Sequence, residues 1–217
     1  GSTESATPIL NTQALASLSH SKTKQNKTNK QKNKEKNKYN LFSRVIVHNT
    51  KELLGKTPQI GENTFLAETA TVIGDVTMGK DCSIWYNAVI RGDVHFIKMG
   101  DKVNVQDNAM LHCTFEKFPL TIGNNVSIGH NAIVHGCTIN DNVLIGMGAI
   151  VMDDCLVESN SIVGAGSVVT QGTHIKSGEV WGGIPARKIK DISSELLEGE
   201  VNRIANNYVK YSGWYKD

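Results

Sequence analysis

Several features are scarce in this 217-residue chain, and their scarcity excludes whole classes of protein. No stretch approaches the roughly 20 consecutive apolar residues that a membrane-spanning helix needs, so no span is predicted. The four cysteines form no C-x-x-C pair, and we expect free, reduced thiols as in cytosolic proteins. No arginine precedes Arg44, and no basic residue precedes the short apolar segment 9–18. Both observations argue against an organelle transit peptide or a secretory signal, and they predict a soluble, cytoplasmic protein.

The first 40 residues contain almost nothing that could form a hydrophobic core. Eight lysines lie between Lys22 and Lys38 among Asn, Gln and Thr, a composition typical of disorder. We interpret Gly1-Ser2 as a cloning remnant. A lysine run can bind nucleic acid, but no aromatic or arginine side chain is interleaved to stack on bases. We therefore favour a solvated tail without a nucleic-acid partner. Residues beyond 40 carry 15 basic and 19 acidic side chains, a net charge of about −4.

An aliphatic residue recurs at every sixth position from about Ile60 to Val169. A sustained six-residue period is typical of a parallel β-helix, in which each hexapeptide forms one short side of a coil. Three hexapeptides per triangular coil predict about six coils. Two longer steps, at 92–96 and 114–119, are expected to be loops that bulge from corners. The eighteen aliphatic slots are positions 60, 66, 72, 78, 84, 90, 99, 105, 111, 122, 128, 134, 139, 145, 151, 157, 163 and 169.

The segment after the repeat carries the spacing of an amphipathic helix. Five apolar or aromatic residues fall on one stripe, and Ser193-Ser194 is a suitable start. The stripe consists of Leu197, Val201, Ile204, Tyr208 and Tyr211. The predicted organisation is an all-β parallel β-helix over 41–189 with its N-terminal lead-in, after a disordered tail over 1–40. A C-terminal helix over 190–217 is expected to pack along the outside of the coil.

Three histidines lie in the repeat at positions that the register relates to one another. His112 and His135 each follow an aliphatic slot directly, and the two slots are one coil apart. Their side chains are therefore expected on one outer face, separated by about 5 Å, which suits two ligands of one metal ion. His130 lies two residues after its slot, on another side of the triangle. We predict a trimer in which His130 of one chain meets the other two histidines of the next.

Three more polar residues lie on the same two faces, and a fourth lies in a corner. Arg91 shares the face of the first two histidines, whereas Gln106 and Asp107 share the face of the third. An Arg opposite an Asp predicts an ion pair between subunits, for which a structural role is as good an interpretation as a catalytic one. Asp93, in a corner, is expected to pair with Arg91 or a neighbour. Gln106 is expected near the metal, where it orients a bound water.

Six spaced blocks, in this order, resemble the γ-class carbonic anhydrases. They are Arg91-Gly92-Asp93, Asn104-Val105-Gln106-Asp107, Leu111-His112, Ile128-Gly129-His130, Val134-His135-Gly136-Cys137 and Gly183-Ile184-Pro185-Ala186-Arg187. The resemblance covers about residues 59–187. It implies a left-handed coil and a homotrimer with zinc at each interface, although iron or cobalt would also accept three imidazoles. It further implies the reversible hydration of carbon dioxide to bicarbonate, by attack of a hydroxide held on the metal.

The resemblance also implies a role for each matching position. The metal ligands would be His112, His130 and His135. Gln106 would orient or activate the water, and Asn104 would lie near the carbon dioxide pocket. An interface ion-pair network would consist of Arg91, Asp93 and Asp107.

Two positions depart from the archaeal prototype of that family. Val94 and Phe115 stand where the prototype has glutamates that assist proton transfer, although Glu116 is adjacent to the second. A catalytically silent trimer that serves as an assembly or binding subunit is therefore one alternative. A CoA-dependent acyl- or acetyltransferase is another, because such enzymes share hexapeptide coils. A transferase would need one catalytic histidine rather than three that converge.

Overall fold

The computed structural model describes residues 49–215 of the chain. The predictions for the tail and for the start of the lead-in lie outside the described residues. The described part is a parallel β-helix of about seven turns followed by one helix, which confirms the predicted fold class. Each hexapeptide contributes a short strand, and the strands of the coil pair in parallel with the strands one turn away.

The strands stack on three faces of the coil. The first face contains β1 (Thr50–Lys51), the first halves of β4 (Thr71–Met78) and β6 (Val89–Met99), β8 (Met110–His112), β11 (Ile133–His135), β14 (Ile150–Val151) and β17 (Val168–Val169). The second contains β2 (Gln59–Ile60), the second halves of β4 and β6, β9 (Leu120–Ile122), β12 (Thr138–Ile139), β15 (Leu156–Val157) and β18 (His174–Ile175). The third contains β3 (Phe65–Leu66), β5 (Ser83–Ile84), β7 (Asn104–Val105), β10 (Ser127–Ile128), β13 (Val143–Ile145), β16 (Ser161–Val163), β19 (Glu179–Gly183) and β20 (Ala186–Asp191).

The aliphatic slots point inward and form one continuous column. Ile90, Leu111 and Val134 follow one another up the first face, and each is fully buried. The coil has one more turn than the predicted six, because the period continues through Ile175 and Trp181, which stack on Val157 and Val163. The antiparallel strand β20 then pairs with β19 and covers the end of the third-face sheet.

At most corners, the backbone turns at the residue three positions after a slot, where φ is positive. Asn125, Asn142 and Asn160 occupy such positions with positive φ, and four other asparagines do the same. Asparagine enters this left-handed region more readily than other residues that have a β-carbon, which explains why it recurs there. Gly148 and Gly166 serve the same purpose in two of the corners that have no asparagine.

The corner between the first and second faces differs from the others in the early turns. The prediction of a loop over 92–96 was wrong, because β6 runs through this corner and pairs with β4 on both sides of it. Gly74 lies against Gly92 so closely that a β-carbon on Gly74 would overlap the Gly92 carbonyl, so the absence of side chains lets both strands continue. The segment 114–119 is the predicted loop, closed by a bridge between Thr114 and Phe118.

The C-terminal helix packs along the outside of the third face, as predicted. It consists of α1 (Ser194–Leu196), a π-helical segment (Leu197–Asn202) and α2 (Arg203–Gly213). It starts after Asp191, the last residue of β20, and Ser193 caps it by accepting a hydrogen bond from the Leu196 amide. Val201 is fully buried against Ile162 and Val180. Among residues 49–215, no helix has the length and apolarity that crossing a membrane requires.

Candidate metal centre

The first face carries Arg91, His112 and His135 in one outward column. Ile90 pairs with Leu111, and His112 itself pairs with His135, so the three side chains follow one another up consecutive turns. The Nδ1 atom of His112 lies 3.0 Å from the Nε2 atom of His135. The structure thus places these two imidazoles side by side, as the register predicts.

Each of these imidazoles is also held by a carboxylate on its other nitrogen. The Nε2 atom of His112 lies 2.9 Å from Asp93 Oδ1, and the Nδ1 atom of His135 lies 2.6 Å from Asp153 Oδ1. The hydroxyl of Thr114 donates to the second oxygen of Asp153 at 2.8 Å. Carboxylates that accept the ring N–H of a histidine fix the tautomer and raise the basicity of the opposite nitrogen.

Because the carboxylates fix the tautomers of the two rings, the two ring nitrogens that face each other both carry a lone pair. An ionised carboxylate only accepts hydrogen bonds, so the hydrogens of the neutral rings lie on His112 Nε2 and His135 Nδ1. His112 Nδ1 and His135 Nε2 are then both acceptors at hydrogen-bond distance. A cation that both nitrogens bind, or a proton that they share, would remove this repulsion. The donor set therefore fits a divalent metal that accepts imidazole.

Burial and neighbouring charges keep this pair suited to coordination. Burial lowers the pKa of His112 more than the hydrogen bond to Asp93 raises it, and the Arg91 charge lowers it further. Burial also acts to raise the pKa of Asp93, but the hydrogen bonds from Arg91 and His112 outweigh it and hold that pKa below its ordinary value. A neutral imidazole and an ionised carboxylate are the forms that a metal site needs.

Asp153 and Thr114 were not identified as site residues from the sequence. The signal for Asp153 was present in the register, because it comes two residues after slot 151, one turn beyond His135. Gly136, directly after His135, has φ of +46°, and a β-carbon there would overlap the Asp153 carboxylate. Asp153 and Gly136 both lie in corners, where the hexapeptide period does not predict the direction of a side chain.

The third histidine lies in a second group of polar residues on the third face. The Nδ1 atom of His130 is 2.9 Å from Asp107 Oδ2, so its Nε2 atom keeps the free lone pair. Gln106 is buried, shares a cavity with His130, and donates from Nε2 to Asn104 Oδ1 at 3.0 Å. Asn104 in turn donates to the hydroxyl of Ser127 at 2.7 Å. This chain of hydrogen bonds fixes the Gln106 amide and leaves its carbonyl oxygen available.

The two groups do not meet within one chain. Within residues 49–215, no three His, Cys, Asp or Glu side chains are close enough together to hold a metal ion. Arg91 pairs with Asp93 at 2.5 Å, one of the two pairings expected for Asp93, while Asp107 pairs with His130. The ion pair between Arg91 and Asp107 of different chains stays a prediction. Convergence of all three histidines requires a second copy of the chain.

Comparisons with known proteins identify the family. The hexapeptide family described as "Bacterial transferase hexapeptide (six repeats)" matches residues 57–92 and 136–171. The carbonic anhydrase of Geobacillus kaustophilus is 42% identical over 75% of this chain and 88% of its own length. Gamma carbonic anhydrase 2, mitochondrial, of Arabidopsis thaliana is 43% identical over 71% of this chain. This chain belongs to the γ-class carbonic anhydrase family.

Two further comparisons concern the length of a relative and the name of a similar solved structure. The chain spans 57% of the length of the Arabidopsis relative. The crystal structure of a hexapeptide transferase family protein from Anaplasma phagocytophilum superposes with a TM-score of 0.73 at 40% identity, over 76% of this chain and 97% of that chain. The word transferase in such names describes a repeat that many activities share.

The two γ-class positions at which this chain lacks acidic residues lie in one cavity. Val94 and Phe115 both line a cavity of about 410 Å³ that reaches the first-face histidines through Asp93, the partner of His112. Asp93, His95 and Glu116 line the same cavity. The carboxylate of Glu116 is therefore present in this wall, one position away from the place where the prototype carries its acid.

Proposed function

We propose that this chain is a zinc-dependent γ-type carbonic anhydrase that hydrates carbon dioxide as a homotrimer. One observation carries the proposal: each of three histidines gives one ring N–H to a carboxylate and keeps one free lone pair. The pairs are His112 with Asp93, His135 with Asp153, and His130 with Asp107. Three imidazoles prepared in this way are a typical ligand set for catalytic zinc, and also accept iron or cobalt.

The placement of the ligands supports the trimer. His112 and His135 supply two nitrogens from one chain, and the third would come from His130 of a neighbouring chain. In a ring of three identical subunits, the first-face site of one chain meets the third-face site of the next. A closed trimer would therefore contain three identical sites, and none of them would be complete in a single chain.

The protein groups around the site suit carbon dioxide hydration. When bound, the metal supplies a Lewis acid that lowers the pKa of water to about 7. Asn104 holds the Gln106 amide, so the Gln106 carbonyl oxygen can accept a hydrogen bond from the reacting water and orient it. Asp93 and Asp153 hold the rings of the first-face pair, and Glu116 offers a carboxylate toward solvent for the released proton.

Removal of one ligand tests the proposal against a matched control. We would measure zinc content, carbon dioxide hydration and molar mass for the full chain and for His112→Ala. The control is His174→Ala, because His174 also pairs with a carboxylate, Glu158, but is exposed in the seventh turn. We expect about one zinc per chain and rapid hydration in the parent and in the control, and loss of both in His112→Ala.

Other outcomes would decide between the alternatives. A trimer that holds stoichiometric zinc but hydrates carbon dioxide no faster than His112→Ala would be a silent assembly subunit. A metal-free protein that transfers an acetyl group from acetyl-CoA, and does so equally well in His112→Ala, would contradict the proposal. A monomer without metal would also contradict it, because the third ligand would have no source.

A further inference from the structure

Six aromatic side chains surround a small cavity where the C-terminal helix meets the early turns of the coil. The cavity has a volume of about 250 Å³ and, besides the six rings, its wall contains one carboxylate, Asp107. We call this the aromatic pocket; its rings are Trp85, Tyr86, Tyr208, Tyr211, Trp214 and Tyr215. Nothing in the proposed hydration reaction requires so many rings in one place.

The two walls of the aromatic pocket come from different parts of the chain. Trp85 and Tyr86 follow slot 84 on the third face, and the remaining four rings belong to the end of the C-terminal helix and the residues after it. The centroid of the Trp85 ring lies 5.3 Å from that of Tyr208 and 5.6 Å from that of Tyr215, both in edge contacts. The Tyr211 and Trp214 centroids are 4.8 Å apart. These contacts hold the rings in fixed orientations around the opening.

Packing of the helix does not account for the whole cluster. Trp85 is almost fully buried and seals the helix onto the coil, as a core residue would. Trp214 and Tyr215 are 64% and 51% exposed, so these large rings stand at the rim of the cavity with much of their surface in water. Aromatic rings arranged around a solvent-accessible cavity are a feature of ligand sites.

The charge in the aromatic pocket has one sign. Among the described residues that line it, Asp107, whose Oδ2 atom also lies 2.9 Å from His130 Nδ1, is the one carboxylate, and none is a lysine or an arginine. Burial raises the pKa of Tyr208 to about 12, and the negative charge of Asp107 adds to that shift. Burial also raises the pKa of Tyr86, with Tyr215, Glu68 and Asp107 adding to it. The faces of the rings are electron-rich as well, so the cavity favours a cation.

We propose that the aromatic pocket binds an alkylated ammonium cation. Several ring faces around one positive centre, with a carboxylate nearby, are the usual recognition elements for quaternary ammonium groups. The cation is carried either by a free small molecule or by a methylated lysine side chain of a peptide, and the two share the same chemistry. The aromatic pocket shares Asp107 with the candidate metal centre, but neither metal nor carbon dioxide enters the test of this inference.

Calorimetric titration of the full chain with choline tests the charge requirement. The control ligand is 3,3-dimethylbutan-1-ol, which has the shape of choline without the charge. We expect saturable binding of choline, at constant ionic strength, and binding of the alcohol at least about tenfold weaker. A peptide that contains trimethyl-lysine distinguishes the source: tighter binding than choline indicates a protein partner, and weaker binding indicates a free small cation.

Variants locate the binding in the aromatic pocket. Trp214→Leu should weaken choline binding about tenfold, whereas Trp214→Phe, which keeps an aromatic face, should restore much of it. Phe115→Leu is the matched control, because Phe115 is 65% exposed but lines a different cavity. The proposal is overturned if choline does not bind, if the uncharged alcohol binds equally well, or if Phe115→Leu weakens binding as much as Trp214→Leu.

Discussion

Gly136 leaves open the space that the carboxylate of Asp153 occupies beside His135. A β-carbon at Gly136 would overlap Asp153 Oδ1 and would crowd Phe118. The carboxylate lies 2.6 Å from His135 Nδ1 because this corner has no side chain. One glycine in the chain therefore determines whether the second histidine of the candidate metal centre keeps its tautomer.

Replacement of that glycine should weaken metal binding. In Gly136→Ala the Asp153 carboxylate must move away from His135, and loss of such a partner typically lowers metal affinity by about 10- to 100-fold. Gly166→Ala is the control, because Gly166 also has positive φ and a β-carbon added there would have no other atom within 4 Å. Zinc affinity measured by competition with a chelator should fall in the first variant and change little in the second. Equal losses in both would attribute the effect to backbone strain alone.

Substitution of the carboxylate itself tests the same contact without altering the backbone. Asp153→Asn keeps the size of the side chain but removes its charge, so the His135 N–H loses a charged acceptor. We expect a loss of zinc affinity of about 10- to 100-fold. The neighbouring Asp154→Asn should have little effect, because residue 154 lies in a left-handed corner that asparagine tolerates. Unchanged affinity in Asp153→Asn would show that this carboxylate does not hold the ligand.

The six-residue period predicts the parts of this fold that depend on burial alone. A residue such as Leu111 or Ile128 must point inward if it recurs in a coil of fixed circumference, so the slots and the faces of their neighbours follow from the sequence. The stacking of His112 on His135 follows from the same argument, since each comes directly after a slot. The same period continues to Ile175 and Trp181, so the sequence also encodes the seventh turn.

The corners follow the period much less closely. Gly92 lies in a strand rather than in a loop, because close backbone contact with Gly74 lets two strands continue through a bend. The pairing of Asp153 with His135 depends on the small volume of Gly136, which no spacing rule encodes. The joining of the two polar groups across subunits is outside what the register of one chain can establish.

Glu179 should make the stability of the protein depend on pH. Its carboxylate accepts hydrogen bonds from Trp181 Nε1 at 2.8 Å and from the Lys176 amide at 3.1 Å, and it pairs with Lys188 at 3.0 Å. The hydrogen bond from Trp181 contributes most to lowering the pKa of Glu179, against the raising effect of burial. A lowered pKa in the folded state stabilises the protein above the unfolded pKa, and this stabilisation is lost as the pH falls through the folded value.

Chemical unfolding of Glu179→Gln at several pH values measures this contribution. At pH 7 we expect the variant to unfold with a free energy lower by about 1–3 kcal/mol, because the charged acceptor is gone. The difference should begin to shrink as the pH falls below the unfolded pKa of about 4.3, and it should vanish as the folded parent loses its charge at its lowered pKa. Glu62→Gln, at an exposed position in the first turn, serves as control. A difference that stays constant down to pH 3 would contradict the assigned role.

The four cysteines should be inert while the protein is folded. All four are free, as the sequence predicts, and all are buried. Burial raises the pKa of Cys82 and of Cys113 to about 11, and it also raises that of Cys137 and Cys155. Because the thiolate is the reactive form, Ellman's reagent at pH 8 should find almost no fast-reacting thiol in the native protein.

Denaturant provides the internal control for that measurement. Unfolding exposes the thiols and returns their pKa to the ordinary range, so all four should then react within the mixing time. The slow reaction of the native protein should accelerate with denaturant in parallel with unfolding, since global or local opening is the step that exposes the sulfur. A full equivalent that reacts rapidly in the native state would contradict this prediction, because at least one of the buried thiols would then reach solvent without unfolding.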